Sequence, residues 1–205
     1  MRDQPPQAVS AFIRSVWPAF VWEAQGPGPD LDALIRTWAD HGWLLLDQGT
    51  IVAAANSVPL DAPETLPDEG WDWAVRVADP AGRDRCALMV TVAPSHQRRG
   101  LSKRLLATMV EATRGRLIIP VRPPSKRSDQ PIEALLADPE RDPWLRTHLA
   151  VGAWIVGPCH RSMVLDAPWS AWERWGEGGR IAPVVPHDGH GRYVEPNVWV
   201  EHPTG

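Results

Sequence analysis

The residues Gln97-Arg98-Arg99-Gly100-Leu101-Ser102 join two segments of different periodicity. Before them, Ala87-Leu-Met-Val-Thr-Val92 is a nearly continuous apolar run of the kind that forms a buried strand. After them, Leu101, Leu105, Leu106, Met109 and Val110 recur at helical spacing. A short turn that opens such a helix presents backbone N–H groups with no intrahelical partner, and the helix dipole makes that end electropositive. With Arg98 and Arg99 beside it and Lys103 in the first helical turn, the site suits a phosphate or pyrophosphate group. The positive charge is a local feature. The 205-residue chain carries 21 Lys and Arg against 25 Asp and Glu, a formal net charge of −4, so it is not a general polyanion binder.

Other chemistry-bearing residues form no comparable constellation. Cys159 and His160 are adjacent, which on a strand sends their side chains to opposite faces. His187, His190 and His202 fall in a Gly- and Pro-rich stretch without the tight spacing of zinc ligands, so no metal site is expected. Ser162 has no nucleophile motif around it. Cys86 and Cys159 lack paired spacing, and the sequence shows neither a signal peptide nor a long apolar run. A reduced, cytoplasmic protein without a membrane span is the corresponding expectation.

The elements that must position the turn follow from pattern and punctuation. Ala8 to Trp22 reads as a first helix kinked at Pro18 and broken by Gly26-Pro-Gly-Pro29. Asp30 caps a second helix from Leu31 to Asp40, ended by Gly42. Trp43 to Leu46 and Ile51 to Ala55 flank Asp47-Gln-Gly-Thr50, a hairpin signal. Asp68 to Asp79 reads as helix, with Trp71, Ala74, Val75 and Ala78 on one stripe. Arg116 to Val121 is the strand after the central helix. Residues 123–143 are a polar, proline-rich insertion with a short helix at Ile132 to Leu136. Trp144 to Val156 reads as helix, glycine stop and strand, Ser162 to Leu165 as a last apolar strand, and Trp169 to Trp175 as a short helix. Gly176 to Gly191 reads as loop. Arg192 to Val200 is expected at a sheet edge, because Pro196 cannot serve a central strand.

With 43% hydrophobic residues the chain fits one domain over residues 1–205. Twelve tryptophans, one tyrosine, two phenylalanines and 22 prolines call for long ordered loops, whose tryptophans either anchor the core or line a pocket.

Taken in order, Gln97-Arg98-Arg99-Gly100-Leu101-Ser102 resembles the Gln/Arg-x-x-Gly-x-Gly/Ala signature of the GCN5-related N-acetyltransferases (GNAT), with Ser102 in the final small position. The resemblance covers residues 43–166, is most specific from 87 to 110, and leaves 167–205 as a Pro- and Trp-rich C-terminal extension. It implies an α/β fold with a mixed, mostly antiparallel central sheet flanked by helices. It also implies acetyl-CoA as acyl donor, without a metal. The pyrophosphate would be held by Gln97, Arg98, Arg99, Gly100, Leu101, Ser102 and Lys103. The pantetheine arm would pair with backbone groups of Val90, Thr91 and Val92, where the family's strand splays from its neighbour. The helix at Asp68 to Asp79 departs from the family, which has a strand about there, and this leaves the strand count on the N-terminal side open.

The family's Tyr-x-x-x-Gly-Phe pattern corresponds to His148-Leu-Ala-Val-Gly152-Ala153. His148 thus takes the place of a tyrosine that protonates the departing thiolate, a role open to an imidazolium or filled by packing alone. Tyr193 lies outside the matched region. The acceptor amine needs a general base, and the strand before the turn carries no carboxylate; Asp72, Glu69 and Glu133 are candidates that no spacing separates. The insertion at 123–143 is either part of the acceptor side or a surface loop.

The implied activity is transfer of an acetyl or similar acyl group from acyl-CoA to the amine of a small molecule. Two other readings stay open. One keeps the fold but takes an aminoacyl-tRNA as donor, for which a charge of −4 has the wrong sign. The other is a non-catalytic CoA-binding module. Family members often pair through their C-terminal strands, so a homodimer is a further implication.

Overall fold

The computed structural model describes residues 1, 4–26, 30–127, 130–175 and 184–204. The Gly-Pro break at 27–29 and residues 176–183 of the expected loop lie outside the described residues. The strands β1 (Gly42–Asp47), β2 (Thr50–Leu60), β3 (Asp84–Val92), β4 (Leu117–Val121), β5 (Trp154–Pro168), β6 (Val185–His187) and β7 (His190–His202) form one sheet. Its order is β1-β2-β3-β4-β7-β5, with β6 added to β7. Every pairing is antiparallel except β3 with β4.

Helices cover both faces. On one side α1 (Pro6–Val16), α3 (Leu31–Thr37) and α4 (Gly70–Arg76) bury Val9, Ile13, Leu34, Ile35 and Trp73 against Val58, Cys86 and Leu88. On the other, α5 (Leu101–Glu111), α6 (Glu133–Leu136) and α7 (Pro143–Leu149) bury Leu105, Leu106, Met109, Leu135 and Leu145 against Ala53, Ala87 and Val198. Cys86 and Ala87 face opposite clusters, as the two-residue period of a strand requires. A third cluster joins α2 (Ala19–Glu23) and α8 (Trp169–Trp175) through Phe20, Trp172, Trp175 and Tyr193.

Several expectations hold in detail. The hairpin turns through Gln48 and Gly49 at φ 48° and 84°, the paired left-handed conformation of a type I′ turn. Asp30 caps α3 by accepting from the Ala33 N–H at 2.7 Å. The segment after β2 is a helix packed on one face of the sheet, so it adds no strand.

Others need correction. The first helix is two helices, because Pro18 stands between α1 and α2 and itself caps the second. The strands expected at 153–156 and 162–165 are one 15-residue strand, β5, whose register against β7 slips between Cys159 and Met163. The expected edge strand at Arg192 to Val200 is interior, because β7 pairs with β4 through residues 198–202 and with β5 through residues 190–201. Pro196 is tolerated there because it lies opposite the β5 irregularity and before the first residue paired with β4, so neither ladder needs its N–H.

Candidate active site

β3 and β4 are partners only at Arg85–Leu117 and Cys86–Ile118 and then part. A register shift against β2 leaves Leu88 as an extra residue on β3, a bulge that turns the strand away from β4. Ala93 N–H donates to Val52 O at 2.9 Å, which makes Ala93–Val52, and by alternation Thr91–Ala54, the hydrogen-bonded pairs of the β2–β3 ladder. The backbone N–H and C=O groups of Val90 and Val92 therefore point away from β2, toward the side that β4 has vacated. Thr91 has the opposite sense: its backbone belongs to the ladder, and its buried hydroxyl accepts from Trp17 Nε1–H at 2.8 Å. Of the three residues expected to pair with the pantetheine arm, Val90 and Val92 offer free backbone groups and Thr91 does not.

Between the parted strands lies a cavity of about 200 Å³. Ala87 to Val90 form one wall and Ile119 to Arg122 the other, with His148, Trp144, Asn197, Trp17 and Trp71 completing it. Arg122 is fixed by buried Glu195 at 3.1 Å and lies over the Phe20 ring at 5.3 Å. Arg122, Asn197 and Trp17 carried no motif in the sequence; each reaches the cavity through long-range packing.

The turn at the end of β3 continues through Gln97, Arg98, Arg99 and Gly100 into α5. Arg98 and Gly100 have φ of 62° and 75°, so the chain doubles back tightly before the helix. The first intrahelical bond runs from Arg104 N–H to Gly100 O, which leaves the N–H groups of Leu101, Ser102 and Lys103 without intrahelical partners. No side chain caps that end, and Gln97, Arg98, Arg99 and Lys103 are exposed beside it. A Cβ at Gly100 would meet nothing within 4 Å, so this backbone is open to close approach.

His148 lines the cavity but is 3% exposed. Its Nδ1 lies 2.9 Å from Nε2 of His202, which leaves His148 Nε2 as its free nitrogen. Burial, reinforced by His202, pushes His148 down to about 3, and burial pushes His202 down to about 4. Of the two roles left open by the sequence, an imidazolium acid is therefore not the resting form at neutral pH.

The three carboxylates also separate. Glu69 is exposed at the start of α4. Glu133 is exposed and bonds His160 at 2.6 Å. Asp72 is 6% exposed, accepts from Val164 N–H at 2.8 Å through Oδ2, and is raised by burial to about 6. The insertion contributes Pro124 to the cavity, while Ile132 and Leu135 pack into the core. Among the described residues no group of three or more His, Cys, Asp or Glu could hold a metal ion, and no helix is long and apolar enough to cross a membrane.

Comparison with known proteins agrees with the fold. The sequence model of the acetyltransferase (GNAT) family matches residues 9–130. An arginine N-acetyltransferase, avaD, from Aspergillus versicolor is 32% identical over 251 aligned residues, covering 93% of this chain and 86% of that protein. Among solved structures, the loading GNATL domain of CurA from Lyngbya majuscula superposes with a TM-score of 0.65 at 19% identity, covering 96% of this chain and 92% of that one. The GphF GNAT-like decarboxylase, solved with isobutyryl-CoA, gives 0.64 at 20% identity and covers 97% and 96%. At such identities these two establish the fold alone. The family match and the fungal relative establish more: this chain belongs to the acetyltransferase (GNAT) family and is an acyltransferase.

Proposed function

We propose that the protein transfers an acetyl or similar acyl group from acyl-CoA to the amine of a small molecule. The observation that carries this reading is the parting of β3 from β4 after Cys86, which frees the backbone of Val90 and Val92 directly upstream of the unpartnered α5 N-terminus. A pantetheine arm needs amide partners along an extended path, and a pyrophosphate needs clustered N–H donors and cations at its end. This chain offers both in sequence order. The arginine N-acetyltransferase relative supports a small-molecule amine as acceptor.

Acetyl-CoA supplies an activated acyl carbon when bound. The protein's own contribution is mainly positional. Val90 and Val92 fix the arm, Leu101 to Lys103 and the two arginines fix the phosphates, and the cavity walls exclude water around the reacting carbon. His148, neutral, cannot give up a proton outright. With His202 Nε2–H donating to His148 Nδ1, the other tautomeric proton sits on His148 Nε2, from which it would hydrogen-bond the departing sulfur of a bound acyl-CoA. In the reverse arrangement His202 Nδ1 would be a buried N–H without partner, the rarer and costlier state.

Calorimetric titration with acetyl-CoA, CoA and ATP tests the donor, followed by release of CoA thiol with a panel of small amines. Affinity on the order of micromolar for the CoA species, none for ATP, and amine-dependent thiol release are expected. A protein that binds no CoA species overturns the reading.

A further inference from the structure

A second cavity, of about 400 Å³, lies beneath α1, α2 and α3 and shares the wall of Trp17, Trp71, Met89 and Met163 with the cleft between β3 and β4. Trp22, Leu34 and Leu165 give it an apolar lining, and the ionisable groups that face it are Glu23, Asp30 and Asp72. Among the described residues no lysine or arginine lines it. Two of the three carboxylates are committed elsewhere. Glu23 accepts from Arg174 at 2.9 Å and from Trp175 Nε1–H at 3.0 Å, and Asp30 caps α3. Asp72 is buried, and only its Oδ2 is used, by Val164 N–H; no described protein group hydrogen-bonds Oδ1. A buried carboxylate with one free oxygen, in a chamber ringed by the indoles of Trp17, Trp22 and Trp71, is suited to a desolvated cation. Arg14 already lies over the Trp22 ring at 5.4 Å, pairing with Asp32.

We propose that this second cavity is the acceptor site, that its occupant is a small molecule presenting a protonated alkylamine, and that Asp72 Oδ1 receives the amine's proton. The proposal rests on the N-acyl transfer reading. Asp72 comes from α4, the helix between β2 and β3, and its position is built rather than incidental. Trp71 N–H donates to Ser162 Oγ at 3.0 Å, Asn197 Nδ2–H donates to the same oxygen at 2.7 Å, and Val164 N–H holds Asp72 itself. The irregular stretch of β5 thus seats α4 at the wall between the two chambers. The step balances on these groups. One N–H proton of the ammonium passes to Asp72 Oδ1, the freed lone pair attacks the thioester carbon, the C–N bond forms and the C–S bond breaks. The second N–H proton ends on the thiolate, giving amide and free thiol, and Asp72 returns its proton to water. Glu23 and Asp30 face the same cavity, and Arg76 on Asp72's own helix opposes the effect of burial, which dominates and raises Asp72 to about 6, so that it is ionised at neutral pH.

The test is Asp72→Asn with a series of n-alkylamines, read by thiol release and by acetyl-CoA titration. The variant is expected to keep its acetyl-CoA Kd within about twofold while kcat/KM for the amines falls roughly 100-fold or more. The acidic limb of kcat/KM near pH 6 disappears with it. Ala24→Phe, which adds bulk at a residue lining the cavity, is expected to raise the amine KM about tenfold with unchanged acetyl-CoA affinity, and it serves if Asp72→Asn fails to fold. Wild-type kcat/KM and an intact acidic limb in Asp72→Asn, or an unchanged amine KM in Ala24→Phe, overturn the proposal. Should the wild type bind no CoA species, the donor reading fails by itself. Quenching of indole fluorescence by n-alkylamines then still decides: at least tenfold weaker binding in the variant supports the cavity, and equal binding rejects it.

Discussion

His148 Nδ1 and His202 Nε2 lie 2.9 Å apart at the floor of the cleft, so one ring donates and the other accepts, and neither is charged near neutrality. On the role proposed for His148 Nε2, His148→Gln should lower kcat roughly 10- to 100-fold with an unchanged acetyl-CoA Kd. The pair also sets an acid limit. Both folded-state values, about 3 and about 4, lie below the ordinary 6.5, so the unfolded chain binds more protons between them. The pair's contribution to stability is full above about pH 6.5 and is lost as pH falls toward 4, with up to two protons taken up on unfolding, one for each ring. Urea midpoints from pH 7 to 4.5 check this, and the variant carrying both His148→Gln and His202→Gln should show a flatter slope.

The turn makes a separate prediction. Arg98 and Arg99 are exposed and contribute nothing to the core, so reversing both charges should leave the fold intact. Acetyl-CoA affinity should fall at least about tenfold in low salt, with a smaller loss at high ionic strength. An unchanged Kd would move the phosphate site elsewhere.

The strand–turn–helix unit was legible in the sequence because local periodicity and one glycine determine it, and the same holds for the hairpin at Gln48-Gly49 and for α4. What stayed hidden depends on partners far along the chain. Cys159-His160-Arg161 lies between the two separate strands read from the sequence, yet it is part of one strand, and it is where that strand bulges to meet α4. Pro196 looks like an edge marker until that bulge is placed opposite it. His148 looks ionisable until His202, 54 residues away, closes over it. Asp72 could not be told from Glu69 or Glu133 by spacing; burial alone distinguishes it.

Gly70 ties stability to activity. Its φ is +41°, and a Cβ there would come within 2.9 Å of the Ser162 backbone Cα, which cannot swing aside. Gly70→Ala should destabilise the protein by about 1–3 kcal/mol, a Tm loss of roughly 2–4 °C for each kcal/mol in a chain of this size. Because α4 must shift to relieve the contact, Asp72 shifts with it. Amine turnover should then fall further than the fraction of folded protein accounts for, measured at a temperature well below the lowered Tm.

His160 bridges the start of α4 and the 123–143 insertion. Its Nδ1 is 2.9 Å from Asp68, just ahead of α4, and its Nε2 is 2.6 Å from Glu133 on α6. Glu133 first, then Asp68, hold the imidazolium and raise its pKa above 6.5. For a raised value the sign is opposite to that of the His148–His202 pair. The stabilisation is fully present below about 6.5 and is lost as pH rises through the folded value. The ring is 52% exposed, so solvent screens the pair and the effect is small. His160→Gln should cost a few °C of Tm at most at pH 6 and nothing by pH 9. Titration of the His160 ring protons by NMR gives the direct reading. A midpoint above 6.5 that falls toward 6.5 in Glu133→Gln shows the bridge formed in solution, whereas an unshifted midpoint in the wild type means that this side-chain bridge does not form and that α4 is held by its other contacts to β5.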